Sequence, residues 1–147
     1  MRTLPLIAAC VFGLAPLSGA FAQDLPAAKD RENQVMAFIA AFNQQDADAM
    51  MQMLTPQAQW LSVDGEKITA EGASRDAIGK SMRSYFKSCP TCRSRLAGVV
   101  ATANRLTAVE VAQWQTSAGK QKEQRGVSVY EFSGPLISRV YYFPAEP

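Results

Sequence analysis

Residues 120–143, KQKEQRGVSVYEFSGPLISRVYYF, decide the fold class of this chain. The stretch from Lys120 to Phe132 is polar at first and then rich in β-branched and aromatic residues, as strands are. Gly134-Pro135 predicts a turn, and Leu136–Phe143 is apolar again. Two strand-like stretches joined by so short a turn predict an antiparallel pair.

The residues before this pair continue the same pattern toward the N-terminus. Stretches 93–103 and 106–117 also have the character of strands of about ten residues, with turns at Asn104-Arg105 and at Gly119. Consecutive strands with short connections are typical of an antiparallel meander. We therefore expect one antiparallel sheet to occupy the C-terminal half of the chain.

Upstream of residue 90 the apolar residues follow the period of a helix. Three helices are predicted: one over residues 26–45, a short one capped by Asp46 that runs to Leu54 before Thr55-Pro56, and one capped by Ser74. Their apolar stripes share the i, i+3, i+4 spacing and contain Val35, Phe38, Ile39, Phe42; Ala47, Met50, Met51, Leu54; and Ile78, Met82, Tyr85, Phe86.

A hairpin separates the second helix from the third. Its strands are predicted over 59–63 and 66–71, with a turn at Asp64-Gly65 in which both residues take positive φ. Helices followed by a meander predict the α+β class. No repeat or linker interrupts residues 23–147, so we expect a single domain there.

The first 22 residues have the features of a signal peptide. Arg2 gives a positive start, residues 4–17 are mostly apolar, and Ala20-Phe21-Ala22 has the small-x-small pattern that signal peptidase cleaves. We therefore expect cleavage after Ala22 and export of the mature protein to the periplasm or out of the cell. The apolar stretch is shorter than the roughly 20 residues of a membrane span, so no span is expected. Lipoprotein processing at Cys10 is the alternative.

The composition excludes several kinds of functional site. The chain has no histidine, and Ser-His-Asp triads, Cys-His dyads, His-rich zinc sites and haem with a proximal His all need one. The 15 Lys and Arg against 13 Asp and Glu give a net charge of only +2, without the basic stripe of a nucleic-acid-binding protein. We expect no metal, no cofactor and no nucleic-acid partner.

Cys89 and Cys92 are the two cysteines that remain after the predicted cleavage. In an oxidising compartment such a pair favours a local disulfide. The alternatives are a redox-active Cys-x-x-Cys and a zinc site. The pair follows the end of a predicted helix, where the helix dipole raises a thiol pKa and opposes redox activity. A zinc site would need two more ligands.

Several segments resemble the SnoaL-like polyketide cyclase group of the nuclear transport factor two-like superfamily. They are FIAAFNQQDADAM at 38–50, VDGEKITAEG at 63–72 with RDAI at 75–78, and YEFSG at 130–134 with ISRVYYF at 137–143. The resemblance, carried by these segments in this order, covers residues 28–143. The resemblance implies a cystatin-like, cone-shaped α+β barrel in which three helices pack on a curved, mainly antiparallel sheet around an apolar pocket. It also implies a homodimer.

The first hairpin decides what this resemblance implies about catalysis. Related steroid isomerases carry an Asp base there, with a Tyr and a protonated Asp as the oxyanion hole, and a dry pocket tunes the pKa of such a base. In this chain Ser62 falls near the position of that Asp, and Asp64 belongs to the turn. Cyclases and dehydratases of the superfamily often use Asp-His pairs, which this chain lacks. We therefore expect no turnover of these known kinds.

Two glutamates and one arginine of the meander have two open interpretations each. Glu110 and Glu131 lie among apolar neighbours on strands, where a carboxylate is costly to bury without a partner. In the structural interpretation, each glutamate lies on a solvated face or pairs with Arg139 or Arg125. In the functional interpretation, Glu110 is an acid–base group with a raised pKa. Arg139 shares a face of the last strand with Ile137, Tyr141 and Phe143, which predicts an inward side chain that a protein or ligand carboxylate holds.

The candidate pocket residues share an apolar or aromatic character with a few polar groups, and they are Phe38, Phe42, Trp60, Met82, Tyr85, Glu110, Trp114, Tyr130, Arg139 and Tyr141. They either fill the core or line a cavity for a small apolar or aromatic ligand. We predict an exported ligand-binding or accessory domain with an apolar pocket and without catalytic turnover. The alternatives are an isomerase, cyclase or hydrolase that uses Glu, Tyr or Arg, and a structural module that dimerises or binds a partner through an exposed sheet face.

Overall fold

The computed structural model describes residues 21–145, and the side chains of 27–145. The predicted signal peptide over 1–22 therefore lies outside the described residues, apart from its last two backbone positions. In chain order the elements are α1 (Phe21–Asn43), α2 (Ala47–Gln52), β1 (Leu54–Asp64), β2 (Lys67–Gly72), α3 (Arg75–Ser88), β3 (Arg93–Ala101), β4 (Arg105–Gln115), β5 (Gln121–Ser133) and β6 (Leu136–Phe143).

The six strands form one sheet in the order β2-β1-β6-β5-β4-β3. Strands β1 and β6 are parallel, and all other neighbours are antiparallel. The predicted α+β class, with three helices on a mainly antiparallel sheet, is confirmed. The sheet is open, with β2 and β3 at its edges, so it does not close into a barrel.

The helices cover one face of the sheet, which we call the inner face. From α1, Val35 and Phe38 are fully buried in the core that this face forms with the helices. The predicted helix caps are confirmed: Asp46 accepts a hydrogen bond from the N–H of Ala49 at 2.9 Å, and Ser74 accepts one from Ala77 at 3.2 Å. Each cap provides a hydrogen-bond acceptor for one of the backbone N–H groups that have no partner within the first turn of a helix.

Leu54 was predicted to end the second helix, and this prediction is wrong. The helix stops at Gln52, and Leu54 begins β1 opposite Ile137 of β6. The N–H of Ile137 donates to the carbonyl of Met53 at 2.9 Å. Pairing with β6, more than 80 residues later, outweighs the helical spacing of the local sequence.

The hairpin turn lies one residue later than predicted. Asp64 pairs with Lys67, so the turn residues are Gly65 and Glu66. Gly65 has φ of +56°, whereas neither Asp64 nor Glu66 has a positive φ. A two-residue turn with glycine first is one of the two types that match the twist of a hairpin.

A β-bulge in β6 overturns the predicted direction of Arg139. Phe132 pairs with Ile137 but Glu131 pairs with Arg139, so Ser138 is an extra residue on β6. Because side chains alternate between the two faces, one extra residue reverses the alternation. Ile137 is buried on the inner face, whereas Arg139 lies on the opposite, outer face.

The edge strand β3 also contains an extra residue. Its register with β4 shifts between Leu96 and Gly98, which leaves Ala97 without a partner. Arg93 and Arg95 on this strand are exposed. None of the helices in the described part of the chain is both long and apolar enough to cross a membrane.

Candidate functional site

A cavity of about 420 Å³ lies between α1, α3 and the inner face of the sheet. Seven of the ten predicted pocket residues line it: Phe38, Phe42, Trp60, Met82, Tyr85, Glu110 and Tyr130. Their contact with a ligand remains a prediction. The other three do not line it, because Arg139 and Tyr141 lie on the outer face beyond the bulge and Trp114 lies further along β4.

Glu110 of β4 provides a carboxyl group to this cavity, and Tyr130 of β5 holds it. The Tyr130 hydroxyl donates a hydrogen bond to Oε1 of Glu110. The Ser94 hydroxyl donates to Oε2, with a long contact of 3.4 Å. Tyr130 is only 1% exposed, so its ring is core while its hydroxyl reaches the carboxyl group.

Burial raises the pKa of the Glu110 carboxyl above its ordinary value, because the apolar surroundings penalise the charged form. Hydrogen bonds from Tyr130, Ser128 and Ser94 lower this pKa in part. Burial also raises the pKa of Tyr130 well above its ordinary value, and the charge of Glu110 adds to that effect. The proton between the two groups therefore stays on the tyrosine, and Glu110 is the group that titrates first.

Neither of the structural interpretations of Glu110 fits this geometry. It pairs with neither Arg125 nor Arg139, and it does not lie on a solvated face. Glu131 follows the structural interpretation instead. It accepts from Arg105 at 2.6 Å and from Arg139 at 3.2 Å on the outer face, where Arg139 also donates to Gln59 at 3.1 Å.

Tyr142 lines the cavity and was not among the predicted residues. The bulge at Ser138 turns it, rather than Tyr141, toward the inner face. Its ring packs against Gly126, where an added Cβ would lie 2.8 Å from the ring and from the hydroxyl. Gly126 pairs with Glu110 across β4 and β5, so the glycine makes room for the tyrosine beside the carboxyl group. A glycine in the middle of a strand is the signal that could have indicated this close approach.

Aromatic rings form much of the cavity wall. The ring centroid of Phe38 lies 6.3 Å from that of Trp60 and 6.2 Å from that of Tyr130. Phe42 lies 6.0 Å from Tyr85. Rings at these separations stabilise one another and keep the wall in place.

The end of α1 fixes β3 beside Glu110. The Asn43 side chain donates to the carbonyl of Ser94 at 2.8 Å and accepts from its N–H at 2.7 Å. These two bonds hold the strand residue whose hydroxyl contacts Glu110. The cavity is therefore positioned by helix and strand backbone rather than by loops.

The predicted disulfide between Cys89 and Cys92 is present, with a Cα–Cα distance of 5.4 Å. Cys89 caps the C-terminal end of α3, as the sequence indicated. The Tyr85 hydroxyl, on the cavity-lining helix, donates to Sγ of Cys92 at 3.1 Å. Among the side chains of residues 27–145, no three acidic or cysteine residues come together as metal ligands.

The arrangement can accept or donate one proton and can bind one polar group in an otherwise apolar space. Comparison with known proteins adds the family. The family model described as a SnoaL-like domain matches residues 35–140. The chain belongs to the SnoaL-like domain family. No protein with a curated description matches this SnoaL-like chain significantly.

Solved structures share the fold of the SnoaL-like chain at low identity. A candidate polyketide cyclase from Xanthomonas campestris is 19% identical, with a TM-score of 0.62, over 81% of this chain and 93% of its own. An uncharacterised cystatin-fold protein from Novosphingobium aromaticivorans is 19% identical, with a TM-score of 0.65, over 75% and 94%. TerC, co-crystallised with polyporic acid, is 11% identical, with a TM-score of 0.65, over 79% and 92%.

Proposed function

We propose that this protein binds a small, largely apolar molecule in the cavity, with one polar group of that molecule on Glu110. The observation that carries the proposal is a titratable carboxyl group without a cationic side-chain partner in an aromatic cavity. A volume of about 420 Å³ lies within the ordinary range of ligand pockets. The family and the co-crystallised ligand of a similarly folded protein agree with such a role.

Native mass spectrometry of the protein, purified as its host processes it, tests the proposal. We expect a bound small molecule that is released on denaturation. Ala112 lines the cavity, so Ala112→Leu narrows it and should reduce the bound fraction. Gln113→Leu, on the next residue of β4 but exposed, is the matched control. Equal loading of both variants would contradict binding in this cavity.

Proton transfer by Glu110 is a second candidate function. A carboxyl group whose pKa is raised by burial is suited to act as an acid or base near neutral pH. Tyr130 would then stabilise the carboxylate form of Glu110, because its hydroxyl donates to Oε1. Exchange of the α-protons of 2-tetralone into D₂O, followed by NMR, tests this function. We expect faster exchange with the wild type than with E110Q, and equal rates would rule this reaction out.

We also propose export to the periplasm or beyond. The signal-peptide features of residues 1–22 and a disulfide between the two cysteines outside that segment support it. A fusion to a reporter that folds only after export tests it. The fusion is expected to be active with residues 1–22 and inactive without them.

The outer face of the sheet supports a homodimer. Val109, Val127 and Phe143 form a row across three strands and are 38%, 39% and 37% exposed, and Val100 on β3 is 73% exposed. Contiguous apolar surface of this kind is typical of protein interfaces. We expect a dimer in light scattering of the wild type and a monomer for Val109→Glu. A dimer for both would locate the interface elsewhere.

A further inference from the structure

The charge of the cavity wall has one sign. Glu110 lies deep in the wall, and Glu71, on the exposed strand β2, also lines the cavity. Within residues 27–145, no lysine or arginine side chain lines it. The arginines nearest in register, Arg95 and Arg125, both pair with Val111, the residue after Glu110 on β4, and therefore lie on the outer face. An anionic ligand would therefore meet like charge without a compensating cation.

The remaining wall is rich in aromatic faces. Phe38, Phe42, Trp60, Tyr85 and Tyr142 all line the same cavity as Glu110. The face of an aromatic ring carries partial negative charge and attracts a cation that has lost its water. Carboxylate and rings thus favour the same kind of ligand group.

Glu110 also has unused hydrogen-bonding capacity. An ionised carboxylate offers about four acceptor positions. Tyr130 occupies one on Oε1, Ser128 contributes another hydrogen bond, and the contact of Ser94 with Oε2 is long, at 3.4 Å. An ammonium group has only hydrogen-bond donors and a carboxylate has only acceptors. The two groups therefore complement each other, and the ammonium brings no acceptor that would need a further partner in the cavity.

We propose that the ligand is an organic cation, a protonated amine on an apolar or aromatic body, whose nitrogen pairs with Glu110. This inference rests on the proposed ligand-binding function and specifies its ligand class. The pairing compensates a carboxylate that the protein leaves without a cation, and such compensation is worth most where water is excluded. A neutral ligand would leave the charge uncompensated or require Glu110 to bind a proton.

Binding of a cation also predicts proton release. The pKa of Glu110 is raised in the free protein, and a nearby positive charge lowers it again. The titratable groups that face Glu110 are Tyr130 from β5, Tyr142 from β6 and Tyr85 from α3, with Glu71 on β2; α1 contributes only apolar side chains. The tyrosines stay protonated near neutral pH because burial raises the pKa of each. Affinity for an amine is therefore expected to rise with pH until the amine itself loses its proton.

Three probes of similar size test the inference by calorimetry at pH 7: 2-phenylethylamine, 2-phenylethanol and 3-phenylpropanoate. We expect the amine to bind at least about tenfold more tightly than the alcohol, from charge pairing and ring contacts together, and the carboxylate to bind least. E110Q is expected to remove the preference for the amine while it retains affinity for the alcohol. E131Q, which removes a carboxylate from the outer face, is the control and should keep the preference.

Each remaining outcome has a definite meaning. Equal or tighter binding of the alcohol overturns the cation and leaves the proposed ligand-binding function standing. Tightest binding of the carboxylate overturns the cation as well. Failure of all three probes overturns both proposals. If E110Q does not fold, the wild type alone decides, because a site for a cation must bind the amine more tightly than both the alcohol and the carboxylate.

Discussion

Glu110 and Glu131 lie on strands of one sheet but on opposite faces. Glu131 has arginines on both sides and is partly exposed, whereas Glu110 has a tyrosine and two serines as partners in an apolar cavity. Both look alike in sequence, as single carboxylates among apolar strand residues. The difference teaches that the partners, which come from other strands, decide whether such a residue is structural or available for chemistry.

The largest expected difference between the two faces is in packing. Phe38, on the inner side, is 1% exposed, and Phe38→Ala is expected to lower the free energy of unfolding by about 3–5 kcal/mol. Phe143, on the outer side, is 37% exposed, and Phe143→Ala is expected to cost less than about 1 kcal/mol. Urea unfolding measures both. Similar losses would mean that the outer face is as well packed as the inner one, and a concentration-dependent loss for Phe143→Ala would indicate a dimer.

Two strand glycines sharpen the same comparison. Gly126→Ala places a methyl group 2.8 Å from the ring of Tyr142, so we expect a loss of about 1–3 kcal/mol and weaker ligand binding. Gly98→Ala meets nothing within 4 Å, so it should be neutral or stabilise by about 0.5 kcal/mol. Thermal unfolding distinguishes them. Equal effects would show that Gly126 does not make room for Tyr142.

The pH dependence of stability isolates Glu110. Because burial raises its pKa in the folded state, the folded protein binds more protons than the unfolded one above the ordinary carboxyl value of 4.5. The stabilisation from this group is complete below that value and is lost as pH rises through the folded-state pKa. E110Q lacks this loss, so its stability relative to the wild type should increase from pH 4 to pH 8 in urea unfolding. A constant difference would contradict the raised pKa.

The smallest effect is expected for the outer carboxylate. E131Q removes the ion pairs with Arg105 and Arg139, which are partly exposed, and pairs of this kind contribute about 0.2–1 kcal/mol each. The loss should shrink in 1 M salt, because salt screens exposed charges. Unfolding at two salt concentrations checks this. A loss that salt does not change would mean that Glu131 stabilises the sheet by packing rather than by charge.

Local signals in the sequence predicted the elements well. Asp46 and Ser74 cap helices by bonds to residues three positions later, and Leu136–Phe143 is bounded by its own turn. Such features depend on a few neighbouring residues, so one sequence contains them. The alternation along β4 also indicated correctly that Glu110 shares a face with Ala108 and Ala112, because the pairing of β4 with β5 contains no register shift.

Non-local pairing caused the errors. The bulge at Ser138 exists only in the register of β6 against β5, and it exchanged Tyr141 for Tyr142 in the cavity and moved Arg139 to the outer face. Alternation along β6 alone could not show it. The partnership of Glu110 with Tyr130 was missed similarly, because the two residues meet across neighbouring strands, 20 positions apart in the chain.

The irregular edge strand β3 has a consequence for aggregation. An exposed, regular strand edge is a template on which further chains add, and amyloid fibrils grow in this way. Here Ala97 interrupts the register, and the charged residues Arg93 and Arg95 precede it on the same edge strand. At the other edge β2 has only six residues and begins with Lys67. We therefore expect copies of this protein to associate face to face into closed, finite assemblies, and to resist the open-ended growth that a six-stranded open sheet would otherwise invite.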